Sequence, residues 1–157
     1  MAKNNDLRII TLNVNRLNAP SKRHRIAEWI RKHDPHICCL QETHLRTKDL
    51  HRLKVKGWKE IFQAHRQGKN IAQVAILISD KIDFKRRAIK REPEGNFIIL
   101  KGRIHQEDIN IVNIYAPNVG APKYIKKILE DFKKDIDSNT IIVGDFNTPL
   151  SKMDRSS

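Results

Sequence analysis

Arg8-Ile9-Ile10-Thr11-Leu12-Asn13-Val14 and, further along, Ile37-Cys38-Cys39-Leu40 decide the class of fold, together with what lies between them. The first segment is rich in β-branched residues and ends in the polar turn Asn15-Arg16-Leu17-Asn18-Ala19-Pro20, which reads as a strand followed by a loop. From Ser21, an expected N-cap, the period changes. Ile26, Trp29 and Ile30 recur at helical spacing with basic residues between them, until Asp34-Pro35 ends the helix. Ile37-Cys38-Cys39-Leu40 is apolar at every position, the pattern of a strand buried on both faces. Strand, helix, strand in that order predicts a parallel unit covered by helices, hence an α/β domain.

Downstream, a polar stretch with a short helical turn expected around Leu50 and Leu53 leads into β segments at 58–64, 72–78, 97–104 and 109–115, joined by hairpin-length connections. A second amphipathic helix is expected over 122–136, with Ile125, Ile128, Leu129, Phe132 and Ile136 on one face and five lysines on the other. A final strand, Thr140-Ile141-Ile142-Val143-Gly144, runs directly into Asp145-Phe146-Asn147.

A chain of 157 residues has the length of one domain. The reading is a single domain over 7–157, with 1–6 as a flexible N-terminus. No apolar stretch is long enough to span a bilayer and the N-terminus has no secretory pattern, so no membrane partner is expected. The only two cysteines, Cys38 and Cys39, are adjacent within an apolar run. They read as core thiols of an intracellular, reducing compartment, nucleus or cytoplasm. Lys and Arg number 31 against 18 Asp and Glu, a net charge of +13 that points to a polyanionic partner.

Four polar clusters each follow an apolar strand: Asn13 with Asn15, Gln41-Glu42-Thr43-His44, Asn113 with Tyr115-Ala116-Pro117-Asn118, and Asp145 with Asn147. The ends of parallel strands are where loops converge and ligands bind. Alternation along a strand predicts that Asn13 and Asn15 share a face, as do Asp145 and Asn147. Such a group is oxygen-rich and lacks clustered histidine or cysteine, which suits magnesium. Metal-assisted attack of water on a phosphodiester needs a carboxylate on the ion, a group that orients the water, and neutral donors around the phosphate. Glu42 supplies the first, Asp145 the second, and Asn147, Asn13 and the Tyr115 hydroxyl the third. Any one cluster alone is explained as well by strand capping, since Asn and Asp favour turns.

As an ordered set, Leu12-Asn13-Val14-Asn15, Leu40-Gln41-Glu42-Thr43-His44, Asn113-Ile114-Tyr115-Ala116-Pro117-Asn118 and Gly144-Asp145-Phe146-Asn147-Thr148-Pro149-Leu150 resemble the endonuclease/exonuclease/phosphatase superfamily. Within it, the chain is similar to the endonuclease domain of the second open reading frame protein of mammalian long interspersed elements, which are non-LTR retrotransposons. The resemblance implies a four-layer α/β/β/α sandwich that cleaves DNA phosphodiesters with magnesium, or manganese in its place. It implies metal contacts at Asn13, Glu42, Asp145 and Asn147. Tyr115 would touch the scissile phosphate, Asp145 would orient or deprotonate the water, and Asn147 would stabilise the transition state.

Three departures qualify that expectation. Arg16 and Gln73 stand where family members usually carry glycine, which predicts local strain. The third concerns the strands and the catalytic histidine that the family places after Asp145-Phe146-Asn147. They have no counterpart before Ser157, so the expectation is a sandwich lacking its C-terminal strands, with weak activity. Strands 72–78 and 109–115 are expected beside the resulting gap. The competing reading is a catalytically silent remnant that binds nucleic acid nonspecifically. Lys22, Arg23 and Arg25, together with Lys85-Arg86-Arg87 and Lys90-Arg91 read as flanking loops, are assigned to DNA phosphates, and the lysines of the second helix to solvent. No specific protein partner is inferable from these residues.

Overall fold

Burial on both faces places the 37–40 run at the centre of a sheet, and the rest of the fold is arranged around it. The computed structural model describes residues 6–46, 49, 52–64, 71–92 and 94–146. Strand β1 (Ile9–Asn13) pairs in parallel with β2 (Ile37–Arg46), Ile9 opposite Ile37 and Asn13 opposite Gln41. Helix α1 (Pro20–His33) makes the crossover. It begins one residue before the expected N-cap Ser21, with Ala19 as N-cap, because the fixed φ of Pro20 suits the first helical position. On the other side β2 meets antiparallel β4 (Ile71–Ile78), and β3 (Glu60–Gln63) pairs with β4, so the sheet order is β1-β2-β4-β3.

The second sheet follows chain order: β5 (Phe84–Arg91), β6 (Phe97–Ile104), β7 (Glu107–Tyr115) and β8 (Thr140–Asp145). The first three are antiparallel, and β8 lies parallel to β7 after the crossover helix α2 (Ala121–Asp131). β5 is a full strand where the sequence suggested flanking loops. Its outward positions are basic and only Phe84 is buried, so hydrophobic alternation is nearly invisible in it. The second helix ends at Asp131 instead of Ile136. A 3₁₀ turn, Lys133–Asp135, follows it, and Leu129 is exposed although it was expected on the apolar face.

Three apolar layers hold these elements. Ile37, Cys39, Val74 and Ile76 of the first sheet pack against Ile98, Leu100, Ile109 and Ile111 of the second. Cys38, Leu40, Ala75 and Leu77 face the other way, onto Ile30 of α1 and Trp58. Phe97, Ile99, Val112 and Ile114 seat Ala121 and Ile128 of α2. The result is a four-layer α/β/β/α sandwich in which adjacent residues of one strand serve two different cores. Among the described residues, no helix is long and apolar enough to cross a membrane.

β4 and β7 are interior strands, contrary to the expectation that they border a gap. Among the described residues the first sheet ends at β1 and β3 and the second at β5 and β8. The parallel strands β1 and β8 lie on facing edges of the two sheets. Asp49 and Arg52, on either side of the helical turn expected around Leu50, have 3₁₀ conformation, while Leu50 itself, the segment 1–5 and everything after Phe146 lie outside the described residues. Leu53 is buried with the outer core of the first sheet.

Between the sheets, the apolar layer stops at Asn113, which is fully buried. It follows Ile109 and Ile111 on the inward face of β7. Its Nδ2 donates to the carbonyls of Leu40 at 3.0 Å and Ala75 at 2.9 Å in the opposite sheet, while its Oδ1 accepts from Gln41 Nε2 at 2.8 Å. Gln41, also buried, donates in turn to Thr11 Oγ1 at 2.8 Å. All of the Asn113 amide's donors are used, so the two sheets are pinned together by a satisfied polar bridge. Asn113→Ala strands several of these partners in the interior. It should lower unfolding free energy by about 2 to 4 kcal/mol in urea titrations, and a loss below about 1 kcal/mol would show that the bridge does not hold the sheets.

Candidate active site

Immediately beyond the Asn113 bridge, four side chains from four strands meet. Asn13 is the last residue of β1 and Asp145 the last of β8. Both sit on inward faces: Asn13 shares register with Gln41, and Asp145 with Tyr115. The Asn13 Nδ2 group donates to Glu42 Oε2 at 2.9 Å and to Asp145 Oδ2 at 2.6 Å. One neutral amide thus holds two carboxylates, one from each sheet.

Glu42 reaches this position through an irregularity in β2. The β2–β4 register runs from Gln41 opposite Val74 to Leu45 opposite Ala72, so β2 carries extra residues across from Gln73. Glu42 and His44 adopt left-handed backbone, with φ of 57° and 51°. For non-glycine residues that conformation is uncommon and costs energy. It is held in place by neighbours: Arg16 N–H donates to the Glu42 carbonyl at 2.7 Å, Leu17 N–H to that of Thr43 at 2.9 Å, and the Thr43 hydroxyl to Ala72 O at 2.8 Å. The Gln41–His44 cluster therefore lies inside the strand, as a bulge, and the strand runs on past it to Arg46.

Arg16 has φ of 72°, a conformation that favours glycine, which agrees with the strain expected at this position. Gln73 differs from expectation. It stays in the β4 strand, its Nε2 lies 3.2 Å from His44 Nδ1, and the strain falls on the facing β2 residues. Gln73 Oε1 is buried without a hydrogen-bond partner among the described residues. Asn15 does not continue the alternation of β1. Its φ is 49° and its N–H caps Asn13 Oδ1 at 2.9 Å, so it shapes the loop instead of lining the cluster.

Asp145 is delivered by Gly144, whose φ is 151°. A Cβ at Gly144 would lie 2.0 Å from the carbonyl oxygen of Ile114, so only glycine allows β8 to run this close to β7. Tyr115 is half-buried at the end of β7. Burial raises its hydroxyl above the usual tyrosine range, the charges of Glu42 and Asp145 add to the rise, and Arg16 opposes it. Burial, reinforced by Arg16 and Arg46, lowers the His44 imidazole, with Glu42 acting in the opposite direction.

Of the residues singled out in the sequence, the structure brings Asn13, Glu42, Tyr115 and Asp145 together, and Asn147 lies outside the described residues. Asn113 lies beneath the cluster, and with Gln41 it supports the site from below. That supporting role was missed, although Asn113 shares the parity of Ile109 and Ile111, which marks a polar residue inside the core. Among the described residues, no three His, Cys, Asp or Glu side chains converge as a ready metal cage. The site offers two carboxylates and an amide.

The fold that carries this cluster has known counterparts. Over 154 residues the chain is 29% identical to the Transposon TX1 uncharacterized 149 kDa protein of Xenopus laevis, which covers 96% of this chain but only 12% of that protein. The endonuclease domain of TRAS1, a telomere-specific non-LTR retrotransposon, superposes with a TM-score of 0.62 at 19% identity, covering 91% of this chain and 60% of that one. D. rerio TDP2 complexed with single strand DNA product superposes with a TM-score of 0.68 at 16% identity, covering 90% and 61%. Residues 10–157, which include every residue of the cluster, match the family described as Endonuclease/Exonuclease/phosphatase, and the chain belongs to that family.

Proposed function

We propose that the chain is a DNA phosphodiesterase of the retrotransposon endonuclease type that works with magnesium or manganese, acting where DNA is found, in the nucleus. The observation that carries this reading is the Asn13 amide suspended between Glu42 of one sheet and Asp145 of the other. The converging donors are all carboxylate or amide groups. Magnesium is commonly held by one or two carboxylates, with water and substrate phosphate completing its shell, so this donor set fits it. Glu42, Asp145 and Asn13 would hold the ion, with Asn147 added from the family resemblance. When bound, the ion polarises the phosphoryl oxygens and offsets the charge that develops on them.

The remaining chemistry falls to the chain's own side chains. Asp145 orients the attacking water and takes its proton. The Tyr115 hydroxyl, which keeps its proton at neutral pH, donates to a non-bridging phosphate oxygen. Asn147 is assigned a second neutral donor. At the start of α1, Lys22 Nζ donates to Asn15 O at 2.7 Å, and Arg23 donates to Leu17 O and Asn18 O at 2.9 and 2.8 Å. These cations brace the loop beside Asn13 and, with Arg25, present positive charge to DNA phosphates next to the cluster.

Supercoiled plasmid nicking with and without magnesium tests the reading. Glu42→Gln should lower the magnesium-dependent nicking rate by about 10² to 10³, the scale of losing one transition-state electrostatic contact. Nicking at the unmodified rate would remove Glu42 from the site. DNA binding without any magnesium-dependent nicking by the intact chain would favour the silent nucleic-acid binder instead.

Proton retention by tyrosine is open to direct titration, since the chain has only 2 tyrosines. Burial raises Tyr115, and burial together with the bond to Glu92 raises Tyr124. Both folded values lie above the unfolded one, so this stabilising contribution is complete below about pH 10 and is lost as pH rises further. Phenolate absorbance of the folded protein at about pH 10, where free tyrosine is half ionised, should therefore stay below the half-ionised level and rise towards it on unfolding. Half-ionisation of the folded protein at that pH would contradict the raised position of both hydroxyls.

A further inference from the structure

The second sheet carries a concentrated positive surface away from the catalytic cluster. Directly opposed residues of an antiparallel pair share a face, and the register sets Lys85 opposite Arg103 and Arg103 opposite Asp108. Arg87 and Arg103 both donate to Asp108 Oδ1, at 3.1 and 3.0 Å. Lys90 and Lys101 both donate to Asp135, at 2.9 and 2.6 Å. Five cations thus lie on the outer face, arranged by two carboxylates that leave a surplus of positive charge. Arg87, Lys90 and Arg103 keep 59%, 49% and 54% of their side chains exposed. Lys85, Arg103 and His105, with Asp83 and Gln106, also line a polar recess at the β6–β7 turn.

The Lys85–Arg103 end of this surface is remote from the site along the strands, while Lys90 and Lys101, level with Val112 and Asn110, are separated from it by lying on the opposite face of the sheet. Tyr115 and Glu107 are the two ends of the nine-residue β7, which at about 3.4 Å per residue sets them roughly 27 Å apart. α2 occupies the stretch between, over Phe97 and Ile114. The chemistry of the face selects its partner. An acidic protein would need an apolar centre to dock on and a membrane would need side chains to insert, but Ala88 is the only apolar residue of β5 that is exposed. A phosphodiester backbone needs neither, because its binding is driven by charge and counterion release.

We propose that this outer face of β5 and β6 is a second nucleic-acid contact, which holds a phosphodiester backbone through Lys85, Arg87, Lys90, Lys101 and Arg103 independently of the catalytic cluster. It takes only its class of partner from the proposed nuclease reading. A labelled mixed-sequence duplex of about 20 base pairs, titrated in EDTA between about 50 and 200 mM salt, tests it by fluorescence anisotropy. The triple variant Lys85→Gln, Arg87→Gln, Lys90→Gln should lose about tenfold or more in affinity near 100 mM salt and flatten the salt slope by about 2 to 3. Lys123→Gln, Lys126→Gln, Lys127→Gln on α2 removes the same charge and should change affinity by less than about twofold. Lys85→Gln alone, at an exposed position, should flatten the slope by about 1 and decides the matter if the triple variant does not fold. Equal losses from the two triple variants, or no loss from the β5 substitutions, overturn the proposal. Plasmid nicking by the intact chain is scored separately: nicking with no β5 effect sinks this inference alone, and a β5 effect with no nicking sinks the catalytic reading alone.

Discussion

The buried amide of Asn113, bonded to that of Gln41, joins the two sheets at the level where the apolar core ends. On one side of it isoleucines, leucines and valines fill the space between sheets, and on the other lie Asn13, Glu42, Tyr115 and Asp145. Hydrophobic packing alone is non-directional and would leave the sheets free to slide by small amounts. The bonds from Asn113 to Leu40 O and Ala75 O fix one position, because carbonyl acceptors accept in specific directions. A site assembled from both sheets requires that kind of fixed relation, since a displacement of about 1 Å is enough to cost a large factor in rate.

The backbone around the cluster bears the cost of this placement. Asn15, Arg16, Glu42 and His44 all have positive φ without being glycine. Glycine, which takes such conformations freely, is used where β8 approaches β7, at Gly144. The strained residues are held by hydrogen bonds between the β1–α1 loop and the β2 bulge, so the two strands that supply Asn13 and Glu42 brace one another. Strain gathered at one spot and offset by surrounding order is a common property of functional sites. The same region carries Arg16, whose charge acts on both Tyr115 and His44.

Much of this was legible in the sequence. The continuous apolar run at 37–40 and the helical period before it gave the parallel unit correctly, and the motif order gave the sandwich and the four residues that meet. What escaped notice did so for physical reasons. β5 pairs on one side only and points cations outward, so its alternation is masked by Lys85, Arg87 and Lys90. The Glu42 bulge depends on a two-strand register that no local pattern encodes, which is why Gln41–His44 read as the end of the strand. The parity argument failed at Asn15 because the strand ends at Asn13 and the chain turns left-handed there. Asn113 was noticed as polar, but its partners lie 73 and 38 positions away in sequence and belong to another sheet.

The central claim is that side chains from two sheets form one oxygen-lined site able to hold a divalent ion. Substoichiometric manganese added to isotope-labelled protein reads this directly, because the paramagnetic ion broadens the amide signals nearest to it. Broadening should appear first and together at Asn13, Glu42, Tyr115 and Asp145, residues that the fold alone makes neighbours. Broadening at Glu42 without Asp145, or first at carboxylates elsewhere on the surface, would contradict the account.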